Sequence, residues 1–409
     1  MKVLLTDLAY LHHNYGAQGI LIPFVDALRK KYFAKITVSI SDKKFWKEDI
    51  KFAREKDFEL LYKPRWNFSK YFNSEKKREH KNFQEKFKEY DLVIDISGIE
   101  FIGDLPFLMK WKDLQNSLLA QKLAIKNKIP YYKFTKSYGP FEGIFYRKIS
   151  QKYLNLLPFV QVRTGKNLVA IENLKLKVNL FSFPDISLVL EPASEKWAES
   201  YLAKYFSEEG RIIGISPSVV INNISEVDNN CCGNNHLFLV EKLINNFSKD
   251  NKILILPHSV GDGENLKTCD LALSKQIYKK FLNNKNVKMV EDENLTYQQV
   301  RAVIGKLDFY ITSRYHALAS ALNMKIPVVS LSWHQKYEDL MNSYLDDFLV
   351  VNSRKTNVDT AYQKIMEYHQ NRNWFKPDLM RKNQKIISKK IMESTEMIWN
   401  HFDELKRKI

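Results

Sequence analysis

The stretch Asp308–Lys336 constrains the fold more than any other part of this 409-residue chain. Phe309–Thr312 is a short run of β-branched and aromatic residues, which is typical of a buried strand. Tyr315–Met324 carries apolar residues at helical spacing, and Ser313 stands where a helix cap is expected. Ile326–Leu331 has the pattern of a second buried strand. The stretch therefore predicts a β-α-β unit of a parallel sheet.

Two basic side chains follow the first of these strands. Arg314 and His316 fall at the start of the predicted helix, where free N–H groups and the positive end of the helix dipole favour anions. Ser313 beside them and Lys336 at the end of the unit add further donors. We expect an anion-binding site here, and we expect it to be the active site.

Strand and helix patterns alternate along the rest of the chain, which predicts an α/β protein built from two Rossmann-like domains facing a central cleft. A chain of this length with 44% hydrophobic residues favours two domains over one. A new strand series starts at Arg211–Ser216, so we place the boundary near residue 190, giving domains 1–190 and 191–374. The amphipathic segment Asp378–Lys408, within 375–409, predicts a final helix packing back on the first domain.

Small and polar residues follow the predicted strands of the first half, where open α/β sheets bind ligands. Asp104 is consistent with a general base or with a helix cap, and Arg163 with a ligand-binding residue or with a surface salt-bridge partner. The loop 14–17 carries a glycine, and a helix is expected from Gln18. The candidate binding and catalytic residues of this half are Asn14, Gly16, Ser97, Gly98, Asp104, Arg163 and Asp185.

In the second half, His258 follows the predicted strand Lys252–Leu256. A single histidine in a turn is usually structural, but His258, Arg314 and His316 all come just after strands of the same predicted sheet. We therefore expect the three to face one crevice. No H-E-x-x-H or similar ligand spacing occurs, so no metal site is predicted. The full G-x-G-x-x-G fingerprint is missing too, so no dinucleotide cofactor is expected.

The formal net charge is +17. It comes without an RNP-like, zinc-finger or helix-turn-helix signature, so no nucleic-acid partner is expected. Anionic small molecules, an anionic membrane surface and a merely solvated basic surface all fit. Aromatic residues stand among the lysines of Asp42–Tyr90, a strand-poor segment; they fit sugar stacking, membrane contact or, as we favour, amphipathic helices packed on the sheet.

Three cysteines exclude a disulfide framework. The apolar run Val3–Leu5 is too short for a signal peptide, and no stretch approaches the roughly 20 apolar residues of a spanning helix. We expect a cytoplasmic protein. Its positive net charge is also consistent with peripheral contact to the inner face of the membrane.

Several short motifs occur in the order seen in the polysaccharide pyruvyl transferase family, over roughly residues 1–345. The pair L-P-H and R-x-H is the most specific of them. The motifs are N-Y-G at Asn14–Gly16, D-I-S-G with G-D at Asp95–Asp104, S-Y-G-P-F at Ser137–Phe141, V-R at Val162–Arg163, P-D at Pro184–Asp185, L-P-H at Leu256–His258 and S-R-Y-H…P-V-V-S at Ser313–Ser330. The sequence thus resembles this family.

The resemblance implies a two-Rossmann fold similar to GT-B glycosyltransferases. It also implies transfer of a pyruvyl group from phosphoenolpyruvate, without a cofactor, to hydroxyls of a cell-surface polysaccharide or its lipid-linked precursor, forming a ketal. Two positions depart from the family pattern. Ala17 replaces an acidic residue, and Ser97-Gly98-Ile99 replaces three glycines; both lie in the first, acceptor-side domain.

The roles that follow are hypotheses. Arg314 and the helix start would hold the phosphate and carboxylate of the donor, with Lys336 on the phosphate. His316 or His258 would protonate the methylene carbon, since imidazole titrates near neutrality. Asp104 or Asp185 would take the hydroxyl proton. A nucleotide-sugar glycosyltransferase of the same architecture is the main alternative, although its helix after the anion site would be expected to carry an acidic residue. A non-catalytic protein that binds anionic glycans is the third.

Overall fold

The computed structural model describes residues 1–66, 73–101, 107–163, 167–224, 232, 235–261, 269–371 and 373–408. The chain divides into two compact units. Unit 1 contains Met1–His12, Gly16–Ser187 and Ser388–Ile409, and unit 2 contains His13–Tyr15 and Leu188–Ile387.

Unit 1 is built on a parallel five-stranded sheet in the order β3-β2-β1-β4-β6, with the two-stranded parallel pairs β5-β7 and β8-β9 beside it in the described residues. The strands are β1 Lys2–Leu8, β2 Lys35–Ile40, β3 Glu59–Tyr62, β4 Leu92–Asp95, β5 Ile99–Glu100, β6 Tyr131–Lys133, β7 Ser137–Tyr138, β8 Val160–Arg163 and β9 Leu180–Phe183. The helices are α1 Tyr15–Lys31, α2 Trp46–Glu55, α3 Ser74–Phe87, α4 Phe107–Asn127, α5 Ile144–Leu154 and α6 Asn167–Glu172.

Unit 2 is built on a parallel six-stranded sheet in the order β12-β11-β10-β13-β14-β15. The strands are β10 Ile212–Ser216, β11 Lys252–Ile255, β12 Val287–Met289, β13 Phe309–Thr312, β14 Val328–Ser332 and β15 Val350–Asn352. The helices are α7 Glu195–Leu202, α8 Val219–Ile224, α9 His236–Phe247, α10 Asp270–Tyr278, α11 Tyr297–Ile304, α12 Tyr315–Asn323, α13 Lys336–Asn342 and α14 Val358–Gln370; short 3-10 turns lie at Ile186–Val189 and Lys279–Phe281. The last helix, α15 Pro377–Arg407, begins in unit 2 and ends in unit 1.

This confirms the predicted α/β class with parallel sheets. Strands of a parallel sheet are covered on both faces, so they carry continuous apolar runs rather than an alternating pattern. All four residues of β13 are buried, in agreement with the apolar run that predicts this strand, and all four residues of β4 are buried as well. None of the helices in the described ranges is long and apolar enough to span a membrane.

The segment Asp42–Tyr90 is poor in strands, as expected, but its described residues include one short strand that was not predicted. The two amphipathic helices are present as α2 and α3, and Phe52 and Phe58 are buried as expected. Between them, however, β3 forms the edge of the sheet beside β2. Its apolar run is short, Leu60–Tyr62, and its residues are mostly half-exposed, as expected for a strand with one neighbour in the sheet.

Candidate active site

In unit 2 the segment after β13 starts α12 at Tyr315, as predicted, but Ser313 is not its cap. The N-cap residue is Arg314, and it makes no side-chain cap bond. Ser313 is fully buried; its carbonyl accepts a hydrogen bond from the Tyr337 hydroxyl at 2.9 Å, while its own Oγ has no hydrogen-bond partner among the described residues. The first turn of α12 therefore has no side-chain cap from either residue.

Arg314 is held by a carboxylate that sequence reasoning missed. Its Nε and Nη2 donate to Asp270 Oδ2 and Oδ1 at 2.7 and 2.6 Å, a bidentate pair. Asp270 is fully buried at the start of α10, and its Oδ1 also accepts the backbone N–H of Val219 at 3.0 Å. Burial raises the pKa of the Asp270 carboxyl, although Arg314 opposes the rise. Asp270 thus ties the loop after β10 to the loop after β13.

His258 lies just past β11 in a buried, aromatic environment. Its ring is 5.1 Å from that of Tyr15 and 5.9 Å from that of Tyr297, measured between centroids. Neither ring nitrogen has a hydrogen-bond partner within the described part of the chain. Burial lowers the pKa of His258 well below its usual value, and His316 and Arg314 lower it further. At neutral pH this imidazole is therefore uncharged.

The rings of His316 and His258 both pack against the ring of Tyr297. The Tyr297 ring lies 6.0 Å from the half-buried His316 ring, and the Tyr297 hydroxyl donates to the His316 carbonyl at 2.7 Å. The structure therefore brings together Arg314 and the two histidines that the sequence placed after neighbouring strands. Tyr297 was not among the predicted residues, because nothing in its local pattern separates it from the other core residues of α11.

Arg301 is a second cation behind these histidines. It is fully buried on α11, where its Nε donates to Ser320 Oγ at 3.2 Å, and its other nitrogens donate to the Leu190 carbonyl and the Tyr297 hydroxyl. Its charge contributes to the lowered pKa of His258. Nothing in the sequence indicates this role, since an arginine on a short helix is usually exposed.

Lys336 starts α13 beside an aromatic group. Its Nζ lies 5.0 Å from the centroid of the Trp333 ring and 5.6 Å from that of Tyr315. Tyr315 is the first residue of α12, so these contacts place the Lys336 ammonium group near the start of that helix. Ser313, Arg314, His316, His258 and Lys336 all belong to unit 2.

In unit 1 the structure pairs two predicted residues with each other. Arg163 Nη1 lies 2.9 Å from Asp185 Oδ2, and Asp185 Oδ1 accepts the backbone N–H of Ser187 at 2.9 Å. Gly98 packs against this pair: a Cβ there would lie 3.2 Å from Arg163 Nη2. Arg163 is thus a largely buried ion-pair partner rather than the surface partner that was the alternative, and the pair ties the ends of β8 and β9 to the loop after β4.

Ser97 lies against a buried group of four charges. Lys136 Nζ donates to Ser97 Oγ at 2.7 Å, and Lys133 Nζ donates to both oxygens of Glu100 at 2.6 and 2.8 Å. Asp95 pairs with both lysines, which hold the pKa of its carboxyl far below the usual value against the effect of burial. Two ammonium and two carboxylate groups balance here, so this group is neutral overall and fixes the loop that holds Ser97.

Asn14 and Gly16 differ from their predicted setting. The helix α1 begins at Tyr15, so Gly16 lies in its first turn rather than in a loop, and the helix starts three residues before Gln18. Residues 13–15 belong to unit 2, which places Asn14 next to the tyrosine that packs on His258. The remaining candidate, Asp104, lies outside the described residues.

A comparison with curated protein sequences found no match. Solved structures with a similar fold include Anabaena HepE in complex with UDP-glucose, at 11% identity and a TM-score of 0.59 over 99% of this chain and 100% of that chain. They also include Neisseria meningitidis UDP-GlcNAc 2-epimerase bound to UDP-GlcNAc, at 13% identity and a TM-score of 0.54 over 96% and 100%. The S. aureus MnaA–UDP structure matches at 13% identity and 0.57 over 100% and 97%.

At such identities these similarities establish the fold, which is GT-B-like, as the sequence resemblance implied. The family comparison goes further, because it uses the sequence itself. The family description for polysaccharide pyruvyl transferase matches residues 14–335, a span that starts at Asn14, ends one residue before Lys336 and includes Arg163, His258 and Arg314. The chain belongs to the polysaccharide pyruvyl transferase family.

Proposed function

We propose that this protein transfers a pyruvyl group from phosphoenolpyruvate to two hydroxyls of one sugar in a cell-surface glycan or its lipid-linked precursor. The observation that carries the proposal is the family match over residues 14–335. The methylene carbon of the donor gains a proton and becomes a methyl group, while both hydroxyl oxygens bond to the adjacent carbon. One hydroxyl proton balances the methyl group and the other leaves with inorganic phosphate, so the product is a cyclic ketal.

The donor carries a phosphate and a carboxylate, and unit 2 offers cationic groups for them. Arg314 is fixed by Asp270 while its side chain remains 22% exposed, so part of the guanidinium still reaches solvent or a ligand. The start of α12, at the positive end of the helix dipole, lies beside it. Lys336 lies near the same helix start. An arginine held in one orientation loses little entropy when an anion binds, which favours its use as a clamp.

We assign proton delivery to His316 and a positioning role to His258. A general acid must regain its proton from solvent after each turnover, and the half-buried His316 can do so more readily than the buried His258. The lowered pKa of His258 keeps its ring neutral before the donor binds. A trianionic donor bound beside the pair would favour the charged form of an imidazole, so donor binding itself would raise the pKa of His258. Asp104 and Asp185 remain predictions for the base.

The test is calorimetric titration with phosphoenolpyruvate, followed by a transfer assay that measures phosphate release in the presence of glycan acceptors. Arg314→Lys should weaken donor binding at least tenfold, since a lysine cannot replace a bidentate fork. His316→Ala should leave binding within a few-fold and abolish transfer. Lys249→Ala, an exposed basic residue of the same unit, is the matched control. Unchanged transfer in both active-site variants would refute the assignment.

A nucleotide-sugar glycosyltransferase is the second candidate, because the similar structures include proteins bound to UDP-glucose, UDP-GlcNAc and UDP. The same titration separates the two functions: UDP-sugar binding with no response to phosphoenolpyruvate, alone or with acceptor glycan, would favour the glycosyltransferase. Binding of an anionic glycan without any transfer would favour the third reading, a non-catalytic glycan-binding protein.

A further inference from the structure

Unit 1 exposes a group of large apolar side chains at the first turns of α4 and α5. Their exposed fractions run from 40% to 77%, whereas single exposed apolar residues elsewhere are scattered. This apolar patch consists of Leu108, Met109, Trp111, Ile144 and Phe145. Trp111, Ile144 and Phe145 line one groove, and Leu108 and Met109 closely precede Trp111 on α4. Clustered exposed apolar side chains of this kind mark contacts with a membrane or another molecule.

A groove runs between the two helices beneath the patch. Its volume is about 390 Å³, and apolar side chains form most of its wall, including Trp111, Leu114, Phe145 and Ile149. The Tyr146 hydroxyl donates to Asp113 Oδ2 at 2.8 Å and joins the helices at this place. Leu114 of α4 and Tyr146 of α5 are both buried, so each helix is anchored in the core next to the patch. The apolar patch is therefore held in a fixed arrangement.

Basic residues are interspersed with the patch along α4 and α5. Residues 107–113 and 142–152 contain five Lys or Arg and two acidic residues, a net charge of +3. One of the two acids, Asp113, accepts a hydrogen bond from the Tyr146 hydroxyl. The other is Glu142, whose Oε2 lies 3.9 Å from Lys110 Nζ. The five basic residues are Lys110, Lys112, Arg147, Lys148 and Lys152. Exposed apolar and aromatic side chains with interspersed basic residues are the pattern of proteins that lie on an anionic lipid surface.

We propose that the apolar patch docks unit 1 on a membrane that contains anionic lipid. Ile144 and Phe145 enter the boundary between headgroups and acyl chains, and the interspersed basic residues contact lipid phosphates. The charge argues against a second copy of this chain, since a twofold contact through the patch would place +3 against +3. The inference does not depend on which group the enzyme transfers, so its test and that of the reaction are separate.

The test is co-sedimentation with vesicles of phosphatidylcholine alone or with 30% phosphatidylglycerol, at low salt and at 0.5 M NaCl. The full chain should bind the anionic vesicles at least tenfold more tightly than the neutral ones, and high salt should remove most of the difference. The double variant Ile144→Ser, Phe145→Ser should lose at least tenfold in binding. Its melting temperature should not change, because both side chains are largely exposed.

Phe33→Ser is the matched control, since Phe33 is a fully exposed aromatic residue of the same unit outside the patch. Vesicle binding should survive in this variant. The proposal is refuted if neither vesicle binds, if neutral and anionic vesicles bind equally, or if the double variant binds like the wild type. Self-association that the double variant abolishes, without vesicle binding, would reassign the patch to a dimer contact.

Discussion

Asp270→Ala should be among the most damaging single substitutions in unit 2. The carboxylate is fully buried, and its removal leaves the Arg314 guanidinium without its bidentate partner. Breaking a buried ion pair in this way costs about 3–5 kcal/mol. Because Arg314 is 22% exposed, water can compensate part of this cost, which favours the lower end of the range. The lost hydrogen bond to the Val219 N–H adds about 1 kcal/mol. We therefore expect a loss of about 4 kcal/mol.

Two further variants distinguish the effect of losing the Asp270 charge from the effect of losing its hydrogen bond. Asp270→Asn keeps an oxygen that can accept the Val219 N–H but removes the charge, so its cost should fall between those of wild type and Asp270→Ala. In the double variant Asp270→Ala, Arg314→Ala no uncompensated charge remains. The two single losses should therefore exceed the double loss by about 1–3 kcal/mol, the usual coupling of residues in direct contact.

Urea unfolding measures these differences, provided that each transition is analysed separately, since a chain with two units need not unfold in one step. The transition that shifts should be the same in all three variants. A loss below about 1 kcal/mol in Asp270→Ala, or strictly additive single and double losses, would contradict the reasoning. Either result would mean that Asp270 neither compensates Arg314 nor fixes its orientation.

We expect three other results, for Gly98, Asp49 and His258. Gly98→Ala should lower the melting temperature and displace Arg163, because the new Cβ would lie 3.2 Å from Nη2; an unchanged crystal position of Arg163 would contradict this. Burial raises the pKa of Asp49 to about 6, so wild type should lose stability as the pH rises through about 4–6, and Asp49→Asn, compared by melting temperature across that range, should remove this slope. His258 should remain neutral well below the pH at which an ordinary imidazole titrates, so a ring signal that titrates near 6.5 in NMR would contradict its lowered pKa.

The sequence was informative wherever a buried element shows as an apolar run or as apolar residues at helical spacing. The strands β10, β11 and β13 were expected within about one residue of their ends, because most of their residues are apolar and buried. The last helix was expected within one residue at each end, since its apolar spacing extends over many turns. The edge strand β3 was missed because its apolar run, Leu60–Tyr62, is short and stands between the charged residues Glu59 and Lys63.

The pairing of side chains from distant parts of the chain could not be predicted from such patterns. Asp270 lies 44 residues before Arg314 in the chain, and nothing local in either segment indicates that the two meet. The same holds for Arg301, which looks like an ordinary surface residue of α11 and is fully buried. The Ser313 cap was wrong for a related reason: residue type favours serine as a cap, but the backbone puts Arg314 at the capping position. The sequence predicts which residues follow a strand. Their side-chain partners, by contrast, are determined by tertiary packing.

This difference changes how the arginines after the strands should be understood. The sequence presents Arg163 and Arg314 as cations available to a ligand, but in the structure each is paired with a buried carboxylate, Asp185 or Asp270. Such a pair removes much of the net charge that would attract an anion at long range. It also fixes the guanidinium in one orientation before a ligand arrives, which reduces the entropy lost on binding. Arg314 should accordingly contribute more to the geometry of a bound anion than to the rate of its capture, so Arg314→Lys should raise the dissociation rate of the donor far more than it lowers the association rate.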